Sequence, residues 1–411
     1  MQLLEADQNL APSAHKARST IARIIANGGV VTRRDIVAVT GLARSTIHGH
    51  LKVLLEAGLI EDAGESSVPQ RGRPAQAFRI KTDRGVVLVA DIAIDHCRLA
   101  ITSLDKKMLG RRTVEVSVDC GPDVCADVIA VAFEELLAEL GIPPERALAI
   151  SVGIPGPVDS HKGVVVRPPL MPGWDGFEAC NFMASRFGCD AIVDNEVHLR
   201  ALAEARLLSE EDLPLLLVNV ESGVGGGFVS ENGLLLQGAD GAAADIGHIQ
   251  VRGGSDALCA CGNRGCLSAV ASLGAMAARV AAVSGHPVTP HDLIDRLVRG
   301  DATAVSIVRE VGATLGSAVA DLVNFCNPAR IVVSGQVTLC TDDMLAQIRS
   351  VVSQQAQPLA TRNLRIMSTV LGDEAGLIGG MISGIEQVLS PRGIQYHTRP
   401  ADSDMKPLGL Q

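Results

Sequence analysis

Aromatic side chains are nearly absent: they make up 2% of the 411 residues, with one Trp and one Tyr. A close-packed core must then come from Val, Leu, Ile and Ala, and the 47% hydrophobic content is ample for that. No charge-free apolar run is long enough to cross a bilayer, which excludes a helical membrane protein. The N-terminus lacks the basic and apolar opening of a secretory leader and carries Glu5 and Asp7, so a cytoplasmic location is expected. In that compartment the ten cysteines are not a disulfide framework. Seven are scattered and read as small buried hydrophobes; three lie close together. Overall positive charge is missing as well. A net charge of -10 excludes a protein that coats nucleic acid uniformly. Residues 1–82 nevertheless hold 11 basic and 7 acidic side chains, which leaves 25 basic and 39 acidic in the remainder. The basic segment is the part able to contact phosphate.

Within residues 1–82, three helical patterns follow one another. The first runs from Ala14 to Ala26 with Ile21, Ile24 and Ile25 on one face, and Asn27-Gly28-Gly29 stops it. The second opens at Thr32-Arg33-Arg34-Asp35, a capping-box-like start, with Ile36 and Val39 expected to face inward and Gly41 to turn the chain. The third, from Ala43 to Ala57, repeats Ile47, Leu51, Leu54 and Leu55 at helical spacing and ends at Gly58. Two amphipathic helices joined by a short Gly-containing turn form a helix-turn-helix. Arg44, Ser45, Thr46, His48 and Lys52 then lie on the free face, able to reach base edges or phosphates. Two strand candidates, at 59–62 and 77–80, flank a Gly/Ser/Pro-rich loop containing Arg71 and Arg73. Such a wing suits the narrow minor groove. A small helical interaction domain with solvated charges is the alternative for the helices alone; the wing favours double-stranded DNA.

From residue 83 onward, apolar strands alternate with helices. Strands are expected at 85–91, 97–103, 113–118 and 147–152, with a helix at 124–140. This β-β-β-α-β order is a mixed α/β lobe. A second lobe begins near Leu215, where a buried strand runs into the glycine-rich 221–227. That loop can admit a phosphate, although strand-end glycines more often serve tight turns. The strongest chemical signal is His248 followed by Cys259, Cys261 and Cys266. Three thiolates and an imidazole make a closed tetrahedral set, the structural type for one Zn2+ per chain.

Taken together these residues resemble the ROK family of repressors, open reading frames and sugar kinases. The resemblance rests on 153–159, Pro172-Gly173-Trp174, 194–204, 221–227, 245–248, the cysteine motif, Asn327-Pro328 and 331–335. It implies a two-lobed actin/hexokinase-like (ribonuclease H-like) domain over 83–390, preceded by the winged helix-turn-helix at 1–82 and followed by a polar tail, 391–411. The first lobe would comprise 83–205 plus a C-terminal helix, and the second 206–375. Kinases of the family open with Asp-x-Gly-Gly-Thr; here the stretch reads Asp91-Ile92-Ala93-Ile94-Asp95. Ile94 and Asp95 would oppose a bound nucleotide. Their Asn-Asp-x-Asn is here Asn195-Glu196-Val197-His198, with the carboxylate one methylene further out. Pro169, Asp245 and Ser268 also depart from the family's sugar-site pattern. The resemblance implies a small-molecule effector, a sugar or derivative, held by Asn195, Glu196, Asp245 and His248. No catalytic residue is assigned. The expected protein is a regulator, expected to repress carbohydrate-metabolism genes, acting as a homodimer or homotetramer. Its rivals are an ATP-dependent sugar kinase with an appended DNA-binding domain and a regulator answering only to a protein partner.

Overall fold

A computed structural model describes Leu3 and residues 14–65, 76–251 and 256–399. The head comprises α1 (Ala14–Gly28), β1 (Val31–Thr32), α2 (Arg33–Thr40), α3 (Arg44–Glu56), β2 (Ile60–Glu65) and β3 (Gln76–Ile80). The expected capping box forms at α2. The Asp35 N–H donates to the Thr32 hydroxyl, and the Thr32 N–H donates to the Asp35 carboxylate. Gly41 ends the helix at φ 65°, a left-handed position that suits glycine. Ile36 is buried as expected, but Val39 is not: at 43% exposed it lies on the solvent side of this eight-residue helix. The strands form a three-stranded sheet in the order β1-β3-β2.

The first lobe contains β4 (Val86–Ile92), β5 (His96–Ser103), β6 (Met108–Glu115), α4 (Pro122–Glu139), β7 (Ala147–Ile154), β8 (Val158–Asp159), β9 (Val164–Val165), α5 (Ala179–Phe187), β10 (Asp190–Asn195) and α6 (Glu196–Ala205). Its sheet runs β10-β7-β4-β5-β6, parallel across β10-β7-β4 and antiparallel across β4-β5-β6. The expected strand at 113–118 is displaced. β6 starts at Met108, and Val118 begins a 3-10 turn. β6 is an edge strand whose side chains alternate in exposure, so its polar residues mask it as an apolar run. Trp174, almost fully buried, donates its indole N–H to the Val118 carbonyl at 2.9 Å.

The second lobe contains β11 (Leu215–Val220), β12 (Val224–Val229), α7 (Leu267–Ala271), α8 (Leu273–Ser284), α9 (Pro290–Val298), α10 (Ala302–Cys326), β13 (Arg330–Ser334), α11 (Gln336–Cys340), α12 (Asp343–Gln355), α13 (Pro358–Thr361) and β14 (Arg365–Ser368). Its sheet runs β12-β11-β13-β14. The chain then returns to the first sheet through α14 (Ala375–Val388), which packs on β4, β7 and α6. Residues 391–397, read from sequence as the start of a polar tail, form α15 (Pro391–His397), which packs on α1 with Gly393 and Ile394 buried. Ile21 and Ile25 of the head, Val87 and Val89 of the first sheet, and Met381 and Ile385 of α14 belong to one apolar cluster. The head therefore shares a core with the first lobe. Among the described residues no helix is long and apolar enough to cross a membrane. Of the seven scattered cysteines, Cys97, Cys125, Cys180 and Cys189 are buried, Cys326 and Cys340 are half-buried, and Cys120 is exposed, against the expectation that all seven fill the core.

Candidate functional site

α3 buries Ile47, Leu51 and Leu54 and leaves Arg44, Ser45, Thr46, His48 and Lys52 exposed. Lys52 is 3.8 Å from Glu56, one turn on. Ala43, at the N-cap position, supplies no side-chain hydrogen bond, so the first N–H groups of α3 keep no internal side-chain partner there. Arg71 and Arg73 lie outside the described residues. Arg33 was not singled out from sequence. Its guanidinium bonds Gln76 Oε1 at 2.8 Å and lies 5.6 Å from the centre of the Phe78 ring, tying α2 to the base of the wing. A basic residue one position after a cap Thr is the only signal that could have pointed to it.

The metal-ligand candidates converge. One donor atom from each of His248, Cys259, Cys261 and Cys266 lies within 4.8 Å of all the others. The turn holding them is a tight hairpin. The Cys259 N–H donates to Asn263 O at 2.8 Å and the Gly262 N–H to Cys259 O at 2.9 Å, while Gly262 and Gly265 take φ of 91° and 71°. An Asn263 N–H bond pulls the Cys261 thiol down to about 7; burial and the neighbouring thiols push Cys266 up to about 12. His248 Nδ1 lies 3.8 Å from Cys259 Sγ, and Cys261 Sγ 3.8 Å from Cys266 Sγ. The set can hold a metal ion.

The ligand candidates sit where β10 passes into α6 and where the segment after β12 crosses to the first lobe. Asn195 is occupied by the fold itself: its Oδ1 accepts from the Val197 N–H at 2.8 Å as the cap of α6, and its Nδ2 donates to Gly156 O at 3.0 Å. Glu196 is half-buried, with Oε2 enclosed and unpartnered. Burial raises its carboxyl to about 7, against the pull of nearby Arg200. Asp245 is exposed and His248 half-buried. Ser268 donates to and accepts from Val224 at 3.2 and 3.0 Å, fastening β12.

His198 carries a role that spacing alone did not reveal. It is 3% exposed. Its Nδ1 lies 2.8 Å from Asp194 Oδ1 and its Nε2 3.1 Å from the Ala243 carbonyl. Both ring nitrogens face acceptors, an arrangement that favours the protonated imidazole. Asp194 raises its pKa accordingly, against the opposing effect of burial. Gln237 Nε2 donates to Asp194 Oδ2 at 2.8 Å. Together these bonds fasten the segment leading to Asp245 and His248 onto α6. The Asp–His separation of four residues across the start of a helix was the available signal.

Near the C-terminal end of β4, Asp91 is 3% exposed, with Arg200 Nη2 at 3.2 Å and Arg98 Nη1 at 3.8 Å. Arg98 also reaches Asp373 Oδ2, beyond β14, at 3.4 Å, so the pair links the two lobes. Gly376 of α14 lies against the Asp91 carboxylate with no room for a β-carbon. Ile94 packs on the first-lobe core, Asp95 bonds His96 Nδ1 at 2.7 Å, and the turn closes through an Ala93 N–H to His96 O bond of 2.8 Å.

Residues 87–384 match the model of the ROK family. The chain belongs to the ROK family. Ahead of the ROK domain, residues 15–62 match the bacterial regulatory protein, arsR family. The chain is similar to the DNA-binding transcriptional repressor Mlc of Escherichia coli strain K12: 24% identical over 372 residues, covering 88% of this chain and 91% of that one. A glucokinase of Halalkalibacterium halodurans is 28% identical over 318 residues but covers only 73% of this chain, and 94% of its own. Among solved structures, a ROK family transcriptional regulator homologous to E. coli Mlc superposes with a TM-score of 0.79 at 23% identity, covering 93% of this chain and 99% of that one. The mixed α/β ROK fold with an N-terminal helix-turn-helix is therefore established for this chain.

Proposed function

We propose that the protein is a DNA-binding transcriptional regulator, a repressor of carbohydrate-metabolism genes, whose ROK domain senses a sugar or sugar derivative without phosphorylating it. One observation carries this reading: a head with a free polar recognition face shares a core with a ROK domain whose Asp91 is already paired with two arginines. Arg44, Ser45, Thr46 and His48 on α3 read base edges, Lys52 contacts phosphate, and the wing arginines Arg71 and Arg73 enter the minor groove. The uncapped start of α3 adds N–H groups suited to a phosphate. In a homodimer two such heads meet successive half-sites, so their separation sets affinity.

Against a kinase stand the Asp91 pairing and the absence of glycine between Asp91 and Asp95. The ligand would instead meet Glu196, Asp245 and His248, with Asn195 beside them as the side-chain cap of α6. Zinc fits the donor set. Tetrahedral Zn–S bonds of about 2.3 Å imply an S···S edge of about 3.8 Å, and Cys261 and Cys266 stand at 3.8 Å. His248, Cys259, Cys261 and Cys266 would hold it, and it would stiffen the loop carrying His248.

Sequence selection from a random duplex pool tests the regulator. The full chain is expected to enrich one sequence, and Arg44→Ala to lose selectivity at the contacted base by about 1–3 kcal/mol with an unchanged melting temperature. A coupled ADP-release assay with glucose and xylose should stay at background; turnover approaching the ~1–100 per second of kinases would favour the enzyme. Metal analysis should find about one zinc per chain, and Cys261→Ser should lower both metal content and melting temperature. A metal-free preparation that melts at the same temperature would remove the zinc assignment.

A further inference from the structure

α6 begins in the cleft with Glu196 and ends, about 15 Å on, at Arg206, which is 8% exposed. The Arg206 guanidinium faces two ways. Its Nε and Nη2 donate to Glu386 Oε1 of α14 at 3.1 and 2.9 Å. Its Nη1 donates to the carbonyl of Gly233 at 2.8 Å. Gly233 lies in the turn after β12 and therefore belongs to the second lobe. From the head, Arg23 of α1 donates to the Glu386 backbone carbonyl at 3.1 Å, and Ser19 to that of Leu389 at 2.6 Å. Gln387 anchors the same turn to Asp190 of β10 at 3.1 Å. The head, the first lobe and the second lobe thus meet within residues 386–389 and Arg206.

We propose that Arg206 is the positioning residue through which the relative placement of the two lobes sets the orientation of the DNA-binding head. The inference rests on the regulator reading and gives it a route. A rotation of the second lobe must either carry Arg206 through its Gly233 bond or break that bond. In the first case the Glu386 fork passes the movement to the end of α14, where Arg23 and Ser19 seat α1. In the second, a guanidinium loses a buried partner, which disfavours that state. Either way the lobes and the head are not independent.

The test uses the full chain and duplexes carrying two copies of its selected half-site, with the separation lengthened one base pair at a time. Wild type is expected to prefer one spacing by about tenfold. Arg206→Met should reduce that preference to within about twofold while leaving the affinity for a single half-site unchanged, because α3 is untouched. Arg206→Lys, which keeps the charge and loses the fork, should fall between them. A merely structural role would lower the melting temperature and all affinities together and leave the spacing preference intact. Should Arg206→Met fail to fold, Glu386→Gln, isosteric and uncharged, is expected to show the same loss. Variants that discriminate spacing as sharply as wild type overturn the coupling alone. A wild-type chain that selects no duplex overturns the regulator reading and the coupling with it.

Discussion

The recognition helix and the cleft treat polar side chains in opposite ways. On α3, Arg44, Ser45, Thr46 and His48 face solvent. In the cleft, Asp194, His198, Gln237, Asp91, Arg98 and Arg200 are tied to one another or to the backbone across elements. The first arrangement leaves hydrogen-bonding capacity for a partner; the second has already committed most of it, with Asp91 Oδ1 and Arg200 Nε left over. A duplex therefore meets a surface that gains bonds on contact. A small ligand meets a network in which only a few groups, Glu196 Oε2 among them, remain uncommitted.

The sharpest way to break this contrast is to remove an inward bond. His198→Leu removes the buried cation beside Asp194 and the donor to the Ala243 carbonyl, and should destabilise the fold by about 3–5 kcal/mol, read as a fall in denaturation midpoint. A loss below about 1 kcal/mol would mean the pair behaves like a solvated one. Glu196 gives the next effect. Its carboxyl titrates near 7 in the fold against an ordinary 4.5, so the folded state holds the extra proton between those values. Stability is then highest below 4.5 and declines as pH rises toward 7, by roughly 3 kcal/mol at most. Glu196→Gln should flatten that decline in melting temperature between pH 5 and 8; an unchanged slope would show that Glu196 is ordinarily solvated. The smallest effect belongs to the outward side. Lys52→Ala should weaken all duplexes alike and lower the salt slope by about 1, with stability altered by less than about 0.5 kcal/mol, since its Glu56 pair is exposed.

The same contrast decides what could be read from residue order. The three head helices, the Thr32 capping box and the His248–Cys266 cluster are local patterns, and each stands where spacing placed it. Four features escaped these local patterns. Val39 turns outward because α2 is short. β6 hides because an edge strand wets one face. α15 is a helix because α1 buries Ile394, although Pro, Gly and polar neighbours surround it. His198 matters only because Ala243, 45 positions later, comes to rest against it. Local periodicity carries no information about such a partner.

α14 holds Gly376, Gly379, Gly380 and Gly384, and a β-carbon at 379 would collide with the Leu199 carbonyl of α6. Two backbones seated this closely cannot approach further, and separating them would open the apolar cluster beneath. The low-cost displacement left to the pair is a slide along their common seam, a shear and not a hinge. The row Gly376, Gly380 and Gly384 lies instead against Asp91, Val89 and Val87 of β4, so a slide of α14 past α6 would also carry it along that strand.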